Sequence, residues 1–88
     1  MKELKEYVAR KNAWNALFNG DQYTLDTAAG RQRIANTLDA DLSPENLTCD
    51  GELPRAEVIA RKRTLDKVVV QLLALDPSVK MYELYTGE

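Results

Sequence analysis

Whatever chemistry these 88 residues perform is done without histidine, by fourteen acids, twelve bases, four tyrosines and one cysteine, Cys49. The missing imidazole removes the usual general base, the commonest metal ligand and every histidine-assisted serine or cysteine nucleophile. One cysteine without histidine cannot furnish a tetrahedral zinc site. Cys49 stands beside Asp50 in an acidic stretch, the reverse of the electropositive setting that a reactive thiol needs. Asp39, Asp41 and Ser43 alternate like the first half of a calcium loop, and the match then fails. The sixth position, which needs glycine, is Pro44, and the twelfth, which wants a bidentate glutamate, is Asp50. Asp41 and Ser43 read instead as caps around a turn. Gly20, Gly30 and Gly51 are isolated, so no phosphate-cradling loop is present. Carboxylate or lysine catalysis would still require a pocket, and a cavity of ~300 Å³ or more is hard to carve from so small a core. The expectation is a protein that is not an enzyme and uses no cofactor and no metal.

Charge is spread unevenly. Residues 39–52 carry five acids and no base, whereas residues 55–67 carry Arg55, Arg61, Lys62, Arg63 and Lys67 against Glu57 and Asp66. With Arg31 and Arg33 from an earlier helix, these bases form a candidate partner-binding face for phosphates or an acidic protein. The plainer reading is a solvated face, partly neutralised by Glu57 and Arg61 at i, i+4. The net charge of −2 argues against a protein that works by coating nucleic acid or anionic lipid.

The elements that would position these groups are helical. Residues 1–19 read as a first helix, with Leu4, Tyr7, Trp14, Leu17 and Phe18 near the i, i+3, i+4, i+7 template and Gly20 as its cap. Trp14 and Phe18 lie one turn apart on that stripe and read as packing residues. A connector follows, and a second helix begins between Thr24 and Thr27. Gly30 inside it costs about 1 kcal/mol relative to alanine, which either close approach to another helix or a tolerated defect explains. Ser43-Pro44-Glu45 starts a single turn through Leu47, and Asp50-Gly51 turns the chain again.

A long helix then runs from Pro54 to Asp76, ended by Pro77. Its first half is polar and basic; residues 68–75 are apolar nearly all round, the pattern of burial on several sides. Residues 79–86 read as a short helix, with an edge strand as the second choice. The composite is an all-α fold, a small three- to four-helix domain over residues 1–88 organised around the long C-terminal helix.

The lone cysteine points to a reducing cytoplasm, the N-terminal residues lack a signal-peptide core, and no apolar run approaches the ~20 residues of a membrane span. The functional expectation is a small accessory or regulatory protein acting through protein–protein interaction. The partner is another protein or a second copy, a homodimer, through the apolar excess of the long helix, where Val70, Leu73, Tyr82 and Tyr85 form the candidate self-association surface. The alternative is a nucleic-acid-associated regulator using the basic face.

Overall fold

The computed structural model describes residues 1–81. The chain is all-α, with four helices and no strand among the described residues: α1 Lys2–Ala16, α2 Ala28–Asp41, α3 Pro44–Leu47 and α4 Arg55–Leu75. Local chemistry accounts for most of the boundaries. Thr27 caps α2 by accepting a hydrogen bond from the Gly30 N–H at 3.0 Å, and Ser43 caps α3 ahead of Pro44. α1 closes three residues before the expected end. Asn19 (φ 55°) takes the left-handed position that the sequence suggested for Gly20, and the Gly20 N–H returns to the Asn15 carbonyl at 2.8 Å. Asparagine is the usual substitute for glycine there, because its short polar side chain tolerates that region.

α1 and α4 run antiparallel. The N-terminus of α1 has no side-chain cap of its own, and the free Leu4 N–H instead donates to Gln71 Oε1 at 2.9 Å, while Gln71 Nε2 donates to Glu3. The one polar residue within the apolar run of α4 therefore caps another helix. Among the described residues one hydrophobic cluster lies between the helices. Leu4 and Tyr7 meet Ile34, Ala35, Leu38 and Leu42 of α2, Leu47 of α3, Leu65, Val68, Val69 and Leu72 of α4, and Val79.

That cluster is smaller than the apolar patterning implies. Trp14, Leu17 and Phe18 are 62%, 72% and 66% exposed, so they are not core. The antiparallel register explains it: Leu4 lies level with Gln71, so at equal rise Trp14 comes level with about residue 61. There α4 presents Glu57, Ala60 and Arg61, which offer an indole nothing to be buried against. The apolar half of α4 is likewise not enclosed on all sides, since Val70 is 58% exposed and Leu75 and Ala74 are also exposed. Two short partner helices cover one side of a long one. Residues 79–81 belong to no helix, although Val79 enters the core. The remainder of the expected terminal helix or strand, with Tyr82 and Tyr85, lies outside the described residues.

A polar latch closes the end of α4. Asp76 accepts from Ser78 Oγ at 2.5 Å, the Ser78 N–H at 3.0 Å and Arg31 Nε at 2.6 Å, and Arg31 also donates to the Leu25 carbonyl. The Ser78 hydroxyl first, then the Arg31 guanidinium, hold the Asp76 carboxyl down at about 2. A carboxyl lowered in the folded state stabilises fully above its unfolded value of about 4 and loses that contribution as pH falls through its folded value. Unfolding midpoints of the native chain and an Asp76→Asn variant should therefore differ at neutral pH and converge between about pH 4 and pH 2. A constant difference across that window would show that the latch is not ionic.

Candidate functional site

The antiparallel pair is filled at one end and open at the other. Where α1 passes the polar half of α4, a cleft of about 700 Å³ opens between them, floored by Asp41 of α2 and by Leu53. The chain's size argues against a cavity of that volume inside the core, and this space has another source. The cleft is not carved from the core; it lies between two helices that diverge in side-chain character.

At the base of the cleft sits a closed polar cluster. The Tyr7 hydroxyl donates to Asp41 Oδ2 at 2.6 Å, and Lys11 Nζ pairs with the same oxygen at 2.9 Å while lying 5.4 Å from the Tyr7 ring centroid. Burial, and then the hydrogen bond to Asp41, push the Tyr7 phenol well up, so at neutral pH it acts as a donor rather than a base. Asp41 is thus no cap, as its place beside Ser43 had suggested; it is the acceptor that ties α1 to α2. These three groups satisfy one another and support the cleft. The residues left facing its opening are Arg10 and Trp14 on the α1 wall and Glu57, Ala60, Arg61 and Thr64 on the α4 wall.

Beyond the cleft mouth the apolar surface continues. Trp14 and Phe18 are in tilted contact with ring centroids 5.2 Å apart, and Leu17 lies between them in sequence. Trp14 and Phe18 form an aromatic ledge at the end of α1, and Leu17 is exposed beside Phe18 in sequence. Arg10 makes no hydrogen bond or ion pair among the described residues, and Arg61 donates only a long bond, 3.4 Å, to the Asn46 carbonyl.

The seven bases of the candidate partner-binding face do not share one surface. Arg31 is engaged with Asp76 at the end of α4, about 30 Å along that helix from Arg55 at its start. Arg33 lies over the Tyr23 ring at 4.1 Å and donates to carbonyls of the connector. Arg61, Lys62 and Arg63 are consecutive, and successive helical residues project about 100° apart. Arg61 accordingly lines the cleft, Lys62 pairs with Asp66 at 3.1 Å, and Arg63 is exposed elsewhere, one turn from exposed Lys67. Of the candidate self-association residues, Val70 is exposed and Leu73 is partly buried against the core.

Cysteine and metal chemistry have no visible focus: Cys49 is exposed, and no group of three potential metal-ligating side chains comes together among the described residues. No described helix is long and apolar enough to cross a membrane. Sequence reasoning missed the cleft because Lys11 reads only as an interruption of the apolar stripe of α1 and Arg10 carries no local signal. The available signal was opposition: an apolar face on α1 meeting a polar stretch at the matching height of α4. No family model, curated protein or solved structure matches this chain.

Proposed function

We propose that this chain is a non-catalytic accessory protein that binds another protein through the aromatic ledge and the cleft beside it. One observation carries the reading: Trp14 and Phe18, in ring contact at 5.2 Å, stand exposed at the end of α1, with exposed Leu17 next to Phe18 in sequence. Exposed apolar residues scattered singly need no explanation, but a contiguous group next to a concave surface is a usual sign of an interaction site. Tryptophan and arginine, which border the cleft here, are the residue types most enriched among binding hot spots. The polar cluster beneath it supports a rigid wall rather than a reacting centre, because each member is already bonded to another. The cytoplasm is the compartment we assign, on the strength of a single cysteine in the sequence.

Site-specific photo-crosslinking in the native host tests this. A photo-activatable side chain at position 17 should give an adduct of defined mass that is absent when the same group replaces Ala29, an exposed residue of α2. Trp14→Ser should abolish the adduct while leaving the folding free energy within about 0.5 kcal/mol of the native value, as expected for an exposed residue. Equal labelling from both positions would sink the proposal.

A further inference from the structure

The partner's chemistry follows from what the two walls of the cleft lack, an inference that rests on the binding reading above. Arg10 stands on the α1 wall and Arg61 on the α4 wall, and neither has a carboxylate partner among the described residues. Lys11 is neutralised by Asp41 at 2.9 Å, which leaves Glu57 as the one cleft acid outside an ion pair. Two guanidiniums against one carboxylate make the opening positive on a chain whose net charge is −2. A guanidinium binds a carboxylate through two parallel N–H bonds, and it loses little hydration in doing so. Between the two arginines the cleft mixes apolar groups, Trp14, Leu53, Ala60 and Leu65, with the already paired Tyr7–Asp41–Lys11 cluster, and Trp14 leads onto Phe18 at 5.2 Å.

We infer that the cleft receives an acidic amphipathic helix of another protein, with its apolar ridge against Trp14 and the ledge and with carboxylates on both flanks of that ridge, one toward Arg10 and one toward Arg61. A helix lying in a groove presents one apolar face and two flanks, which matches a cleft with one arginine on each wall. From Arg10 to Phe18 the α1 side offers about 12 Å, enough for two turns of a partner helix. A small anionic ligand would engage the arginines and leave the ledge uncovered; the helix covers both.

Trp14 is the sole tryptophan, so its emission reports directly on the site. The probes are a synthetic amphipathic peptide of roughly 15 residues with leucines on one face and glutamates on both flanks, the same peptide with lysines for glutamates, and a single-stranded oligonucleotide of similar charge. The glutamate peptide should shift Trp14 emission to the blue, saturably, and bind about tenfold more tightly than the lysine peptide, with an advantage that shrinks as salt is raised. Arg10→Glu combined with Arg61→Glu should reverse the order of the two peptides without moving the unfolding midpoint. Each single reversal should give part of the effect.

Failure of the glutamate peptide to bind, or an unchanged preference in the double variant, would overturn the acidic class. A stronger response to the oligonucleotide would replace the peptide by nucleic acid. Self-association in sedimentation that Trp14→Ser abolishes would make the occupant a second copy. In the first case the crosslink from position 17 would persist, so the binding reading would survive the loss of this one.

Discussion

Truncating Leu72 to alanine should lower the folding free energy by about 3 kcal/mol, within the range of 2–5 kcal/mol typical of buried leucine deletions. Leu72 is fully buried, and its helix packs against both α1 and α2, so neither neighbour can collapse into the space without releasing the other. A chain of this length has only about 4–13 kcal/mol of stability in total. The loss should therefore appear as a urea midpoint lowered by about 1–3 M. Val70→Ala, two residues away, is the matched control. Its side chain is mostly exposed, and its truncation should change stability by no more than about 0.5 kcal/mol. Equal losses at the two positions would mean that α4 is rotated about its axis relative to the packing described above.

The contrast between Leu72 and Val70 also marks where sequence reading succeeds and where it stops. The existence of α4, its length and its stop before Pro77 follow from local rules, as do the Ser43-Pro44 start of α3 and a threonine cap for α2, which the sequence leaves open between Thr24 and Thr27 and the structure assigns to Thr27. Each of these depends on residues within one turn of the feature. Which face of the apolar run is covered depends instead on how many helices are available to cover it. Val68, Val69 and Val70 are equivalent in composition, and only the directions of α1 and α2 separate the first two from the third.

The same distinction explains the cleft. The apolar stripe of α1 is real, yet its second half meets Glu57, Ala60 and Arg61 because the Leu4–Gln71 contact sets the register of the pair. That contact joins residues 67 positions apart, and no local pattern encodes it. Arg31 and Asp76 are a further case: separately they read as a candidate anion-binding base and a helix stop, and together they form a latch. The bases drawn into one candidate face were grouped by proximity in sequence, which a helix disperses around its axis. The pairing of Tyr7 with Asp41 was equally out of reach, since a tyrosine on an apolar stripe does not announce which carboxylate its hydroxyl will find.

Gly30→Ala should be destabilising by about 2 kcal/mol, reversing the sign that helix propensity assigns to it. In an unconstrained helix interior the change would stabilise by about 1 kcal/mol. Here a Cβ would stand 2.4 Å from the Thr24 carbonyl oxygen, 2.7 Å from Thr24 Cγ2 and 3.0 Å from Thr27 Oγ1. The first of these is backbone and cannot rotate away. The close approach suspected at this position is therefore real, but it is made by the connector that folds back over the start of α2 and not by another helix. Relieving it would push residue 24 outward and disturb the Thr27 cap, whose oxygen receives the Gly30 N–H itself. It would also strain the neighbouring Leu25 carbonyl, to which Arg31 donates at 2.8 Å. Overpacking of this kind costs about 1–3 kcal/mol beyond any propensity gain. In a domain of this size a net loss of 2 kcal/mol corresponds to a fall of about 8–16 °C in Tm. Gly30→Ala combined with Thr24→Gly separates the contributions. Removing Cγ2 relieves one contact and a glycine at 24 lets the backbone move, so the double variant should recover part of the Tm lost by Gly30→Ala. A rise in Tm for Gly30→Ala alone would show that the connector does not lie against α2 and would remove the basis for the placement of Leu25 and Arg31 as well.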